Sequence, residues 1–402
     1  MAITSQLADE GQSLVQVYEL EFQKSNTKKT EEDVKTMAFQ LTSAQQRALD
    51  AVYQQAEHTQ RNARERIQSV LSSSKSACTI DDLLKAIEQR ADLTINFHPD
   101  RLLADGRSVI TGLYEDGLYR SQFETNISNG GLTAFAGGDR DLWEETMLGG
   151  AYQLSGVTIT ERPKYGGLNL LNYSDGACPR FGSCHFRLKK LILQRATYVF
   201  GDSFFNPQDR GVIHAFEPVL AGLLEEIHKH GNALGRKNVD VSTFLNTILS
   251  AGNTTTALFP RSQGRALDDY IEAQIHGDLR LAEDVDALVA DPSFQHTMTG
   301  KLLEATAKKY GLHLEWHEGC ELPFEEVPDD FRGPEMPPLA RRIQKEYAGD
   351  HAYLNAATIG SAAASVVTTP ERWNDWGTPE ETLQHLKYLW HILVVYGKQK
   401  RR

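Results

Sequence analysis

The chain has 402 residues, 40% of them hydrophobic and 24% charged. That balance folds rather than staying disordered, and the length fits one large domain or two to three smaller units. The formal net charge of −12 disfavours a broad nucleic-acid-binding surface, which needs clustered Lys and Arg to displace phosphate counterions.

In chain order, residues 1–90 are expected to be helical. Ser43, Ala44, Ala48, Leu49, Val52 and Ala56 recur at helical spacing among polar residues, and Thr79 with Asp81 and Asp82 forms a cap before Leu83, Leu84 and Ile87. From Leu93 the character changes to short β-type segments between glycine-rich turns: 93–97, 156–159, 185–188 and 197–200. Helices are expected over 216–230 and 241–248. A strand follows from Tyr270 towards Leu281, turning at His276-Gly277-Asp278, and then a short helix over 283–289. The last third reads as helices around a proline-containing loop at 328–338. The expected class is α+β with a mixed or antiparallel sheet, since regular βαβ alternation is missing. Residues 1–90 form an N-terminal helical region, 91–340 the central domain, and 341–402 a C-terminal helical extension.

No apolar run approaches the roughly 20 residues of a membrane span. No basic segment, apolar core and cleavage site mark a secretory signal peptide. The expected location is cytoplasmic, or inside a host cell reached without such a peptide. Cys78, Cys178, Cys184 and Cys320 include no CxxC pair, and Cys178 and Cys184 beside His185 are spaced more loosely than zinc ligands, so buried free thiols and no metal are expected. The sequence carries no signal of oligomeric state.

Polar residues gather in four glycine-bounded stretches: Phe97 to Arg101, Gly117 to Gly131, Gly149 to Asn169, and Tyr270 to Gly277. Paired glycines let a ligand approach the backbone, arginines pair with phosphate in a bidentate way, and tyrosines offer flat faces to a heteroaromatic ring. Together they suit a nucleotide with a pyrophosphate. No phosphate loop, GxGxxG between strand and helix, GxSxG elbow or HExxH is present.

The order of these stretches resembles the plan of ADP-ribosyltransferases: a first strand ending in His or Arg, a helix and a Gly-Leu turn, a polar and aromatic stretch, and a late strand presenting a glutamate. Here those places hold His98 with Arg101, Gly117-Leu118, the Ser121 to Tyr152 region, and Glu272. The wording from about Leu93 to Pro338 (NFHPDR, LYRSQFET, SNGGLTA, RPKYGGLNLL, YIEAQIHG, DDFRGP) resembles a bacterial and fungal family known as a domain of unknown function. That family in turn is similar to CteC-type threonine-specific ubiquitin ADP-ribosyltransferases. The resemblance implies NAD as substrate and Glu272 as the carboxylate that stabilises the ribosyl cation. His98 would hold the ribose or the nicotinamide amide, and Arg101 or Arg120 the pyrophosphate. Tyr119, Phe123 or Tyr152 would pack on the nicotinamide, with Ser121, Ser128 and Asn129 as further nucleotide contacts. The acceptor would be a protein hydroxyl, a threonine of ubiquitin. Relatives with a second acidic residue two positions before the glutamate have Tyr270 there in this chain, which suits a family that does not modify arginine.

Gln274, two residues beyond Glu272, shares its strand face and is a candidate to orient the acceptor hydroxyl. Blander roles stand beside these. Glu272 can be an exposed strand residue, His98 a turn cap, Arg101 and Arg120 ion-pair partners, Tyr152 and Tyr165 core aromatics, and Asp202-Ser203 a helix cap. Two other functional classes also fit: a metal-assisted hydrolase using His98, His185 and His214, and a non-catalytic nucleotide- or protein-binding module.

Overall fold

The computed structural model describes residues 41–126, 134–250, 258, 267–349 and 351–399. Ser128 and Asn129 lie outside the described residues. Two helices open the described chain, α1 (Ser43–Ser73) and α2 (Ile80–Arg90). Each begins with a capping box. In α1 the Thr42 hydroxyl accepts from the Gln45 amide while the Gln45 side chain accepts from the Thr42 amide, satisfying two amides that the first turn leaves open. The stripe Ala44, Ala48, Leu49, Val52 and Ala56 is buried. Further along α1, Arg66 donates to Asp209 at 2.7 and 3.0 Å and to Glu225 at 2.9 Å, fastening α1 to the sheet edge and to the helix behind it.

The sheet holds eight strands: β1 (Asp92–Phe97), β2 (Lys164–Asn169), β3 (Cys184–Leu188), β4 (Ala196–Phe200), β5 (Arg210–Val212), β6 (Ile271–Ile275), β7 (Val285–Ala290) and β8 (His313–Trp316). Their order is β8-β7-β3-β1-β2-β6-β4-β5. Neighbours run antiparallel except β7 and β8, which are parallel. A parallel pair needs a crossover, supplied here by α7 (Met298–Tyr310), which follows α3 (Val109–Asp116), α4 (Asp139–Met147), α5 (Glu217–His230) and α6 (Val241–Ser250). The chain ends in α8 (Met336–Tyr347), α9 (Ala356–Thr368) and α10 (Pro379–Tyr396). The architecture is mixed α and β around a large mixed sheet. No described helix is long and apolar enough to cross a membrane, and all four cysteines are free.

Several sequence expectations are corrected. Residues 156–159 are not a strand. Gly156 has φ +88°, and Glu161 accepts from the Thr158 amide at 2.7 Å, so a cap and the short 3₁₀ turn Ile159–Glu161 replace it. The helix expected over 283–289 covers only Leu281–Asp284. Val285, Leu288 and Val289 instead enter the sheet between β3 and β8, where a run of apolar residues buried on both faces favours a strand. β2 was hidden by its glycines. A Cβ on Gly166 would lie 2.5 Å from the Thr94 carbonyl oxygen, and one on Gly167 would lie 2.5 Å from Cys178 Sγ. These glycines admit neighbouring protein rather than a turn. Glu217 is buried and accepts from Gln60 and Arg64 of α1, so it serves the packing of α5.

Candidate functional site

Alternation along β6 sends Ile271, Ala273 and Ile275 into the main core and leaves Glu272 and Gln274 on the other face. Glu272 pairs in register with Gly167 of β2 and Val199 of β4, so it stands in the middle of the sheet. It is 5% exposed, which corrects the picture of an exposed strand residue. Gln274 Nε2 donates to Glu272 Oε1 at 2.8 Å, and Thr197 Oγ1 donates to Gln274 Oε1 at 2.8 Å. The Ser203 amide donates to Glu272 Oε2 at 3.4 Å. Gln274 is 1% exposed and both ends of its amide are engaged, so it grips Glu272 instead of facing an acceptor.

Burial, and then the nearby Asp202 carboxylate, push Glu272 up to about 7, against the opposing pull of its two hydrogen bonds and of Arg140. Asp202 is fixed from two sides. Tyr270 donates its hydroxyl hydrogen to Asp202 Oδ2 at 3.0 Å, and Arg180 approaches the same oxygen to 3.6 Å. Asp202 also caps the turn after β4 through the Phe204 amide, so the cap reading of Asp202-Ser203 holds alongside its electrostatic effect on Glu272. Arg140 lies over the rings of Tyr165 at 4.6 Å and Trp143 at 4.8 Å. Tyr165 in turn donates to Glu144 at 2.7 Å.

Glu272 opens into a cleft of about 880 Å³, within the usual range for small-molecule sites. His98, Arg101, Tyr119, Arg120 and Ser121 also line it. His98 follows β1, its ring edge-on to Trp390 at 4.9 Å. Burial and then Arg101 hold it neutral, with its pKa lowered to about 3. Tyr119 packs edge-on against Phe97 and Phe186. Arg120 sits on the exposed rim, paired with Asp116 at 3.0 Å. Ser121 caps the short helix Gln122–Thr125.

Two candidates stand elsewhere. Phe123 is buried under the Arg162 guanidinium at 4.3 Å, and the Tyr152 hydroxyl is buried against His276 Nδ1 at 2.6 Å. Neither is among the residues lining the cleft, and both belong to the support behind it. The three histidines weighed as metal ligands are dispersed: His98 lines the cleft, His185 is buried on β3, and His214 lies 3.6 Å from Glu88 of α2. Among the described residues no group of His, Cys, Asp and Glu is arranged to hold a metal ion.

Sequence reasoning missed Arg140, Arg180, Arg332, Lys387 and His391, all of which line the cleft. They come from distant segments, and the sheet alone brings them together. One local signal was present. Lys387 and His391 are one turn apart on α10, a polar row on a helix otherwise rich in Leu, Ile and Val.

No curated protein matches this chain. A family model described as Protein of unknown function (DUF3626) matches residues 92–396, from the first residue of β1 to the last of α10, with the whole cleft between them. The chain belongs to the DUF3626 family.

Proposed function

We propose that this protein is an NAD-dependent mono-ADP-ribosyltransferase that modifies a protein hydroxyl, with an ADP-ribosyltransferase-like core. The observation that carries the reading is Glu272: one carboxylate on a central strand, gripped by Gln274, opening into a nucleotide-sized cleft. Breaking the nicotinamide–ribose bond sends its electron pair to nicotinamide and builds positive charge at the ribose C1′. A fixed carboxylate beside that carbon stabilises the charge without reorganising. The acceptor oxygen then bonds to C1′. Its proton passes to Glu272, whose pKa near neutrality suits a general base, and on to solvent. Tyr119 offers a ring on the cleft wall for the nicotinamide, and His98 a neutral imidazole for the ribose or amide. By the resemblance to CteC-type enzymes, the acceptor is a threonine of ubiquitin.

The test is incubation of the full chain with NAD labelled in its ADP-ribose part, first with a lysate and then with ubiquitin. Nicotinamide release and one ADP-ribose of added mass on a ubiquitin threonine are expected. Labelling of another protein would keep the reaction and discard this acceptor. Absence of both nicotinamide release and labelling would end the proposal. Glu272→Gln keeps the shape and removes the charge, so transfer should fall by on the order of 10²–10³-fold, with NAD affinity largely kept.

A further inference from the structure

One end of the cleft is crowded with positive charge. Arg101 follows β1, Arg180 lies in the turn Pro179–Phe181, Arg332 in the loop before α8, and Lys387 on α10. Arg180 is paired with Asp268 and Asp202. Among the described residues Arg332 and Lys387 make no ion pair. Lys387 is driven down to about 8 by burial and then by Arg180, Arg101 and Arg332, as expected of a cation held among cations.

The same wall carries buried polar atoms without hydrogen bonds. Both ring nitrogens of His391 have no hydrogen-bond partner among the described residues, and neither do Arg332 Nε and Arg180 Nε. His391 is 1% exposed yet lines the cleft. Buried polar groups are normally satisfied, so this constellation points to a ligand that supplies acceptors.

We infer that Arg101, Arg180, Arg332, Lys387 and His391 form a binding site for the diphosphate group of a nucleotide-type ligand. A single carboxylate would balance one of these charges, whereas a diphosphate spreads several over many oxygens and accepts bidentate guanidinium pairs. The groups are held in advance of the ligand. Trp390 Nε1 donates to the carbonyls of Pro179 at 3.0 Å and Arg180 at 3.1 Å, tying the arginine's backbone to α10. Arg332 stacks near Phe331 and Tyr388. The contact of Arg180 with Asp202 joins this end of the cleft to the surroundings of Glu272. As the seat of the NAD diphosphate the site rests on the reading above; as a diphosphate site it does not.

Calorimetry of the full chain with inorganic pyrophosphate, and separately with ADP, tests the site. Both should bind. Lys387→Met and Arg332→Met should each weaken them at least tenfold, and Lys387→Arg should keep most of the affinity. Arg61→Met, on the exposed outer face of α1, should change nothing. No binding of either probe would overturn the site, as would affinities unmoved by both Met variants or lowered equally by Arg61→Met. If pyrophosphate binding depends on Lys387 and Arg332 but no nicotinamide is released from NAD, the site stands and the transferase reading falls. If transfer requires Glu272 while pyrophosphate binding ignores Lys387 and Arg332, the transferase stands and the site falls.

Discussion

An ionised carboxylate at the position of Glu272 has given up most of its water for two hydrogen bonds. Its pKa is about 7 in the fold, against 4.5 for an ordinary glutamate, so the folded protein holds this proton more tightly than the unfolded chain does. The stabilising effect of that proton is complete below pH 4.5 and is lost as pH rises through 7. Above pH 7 the charge works against the fold by an amount on the order of a few kcal/mol. Glu272→Gln should therefore raise the melting temperature at pH 8 and leave it nearly unchanged at pH 4.5, and equal shifts at both pH values would contradict the assignment. Under the transferase proposal activity runs the other way, rising as Glu272 ionises. Glu272 was legible because a lone acid stood among Ile271, Ala273 and Ile275 before a glycine turn. Its regulators were not, since Asp202 and Arg140 are far away in sequence. Gln274 lies on the expected face but holds the carboxylate rather than an acceptor, because spacing gives the face of a strand and not which neighbour takes the hydrogen bonds.

At the scale of elements, β2 shows how one residue type serves opposite ends. Gly166 and Gly167 read as a ligand-binding loop, yet they lie inside a strand between β1 and β6. A Cβ on Gly167 would meet Cys178 Sγ at 2.5 Å and Ala177 Cβ at 2.8 Å. Gly167→Ala should thus cost about 1–3 kcal/mol by overpacking, seen as a lower denaturation midpoint, and adding Cys178→Ala should restore part of it. A Gly167→Ala protein of undiminished stability would show that the site yields freely. The long helices α1 and α5 were readable because their apolar residues recur at helical spacing over several turns. β7 was not, because Ala282-Glu283-Asp284 before it suits a helix and only pairing with β3 and β8 decides otherwise.

For the whole molecule, α10 is the least expected participant. From sequence it belonged to an extension beyond the central domain, yet Lys387, Tyr388 and His391 line the cleft and Leu386, Leu389, Ile392 and Leu393 fill the core. Trp390 ties the two roles together. Trp390→Phe retains most of the ring's bulk and removes the hydrogen bond to the Pro179 and Arg180 carbonyls, at an expected cost of about 1–3 kcal/mol. ADP affinity should fall with it, because Arg180 loses its tether. Lost stability with unaltered ADP binding would separate the tether from the anion site. The charge of −12 counts against a broad nucleic-acid-binding surface. It is a property of the whole chain that leaves room for a local group of cations in the cleft, where, among the described residues, Arg180 alone of Arg180, Arg332 and Lys387 is paired with acids.

That α10 completes the cleft also sets an order in time. A nascent chain emerges N-terminus first and folds progressively, so strands β1 to β8, Glu272 among them, are made before the helix that carries Lys387 and His391. Until α10 is synthesised and docks, the cleft lacks the wall that carries Lys387 and His391, although Arg101, Arg180 and Arg332 are already in the chain. Under the proposals above, the diphosphate site is then complete only once α10 has docked against the turn at Pro179–Phe181.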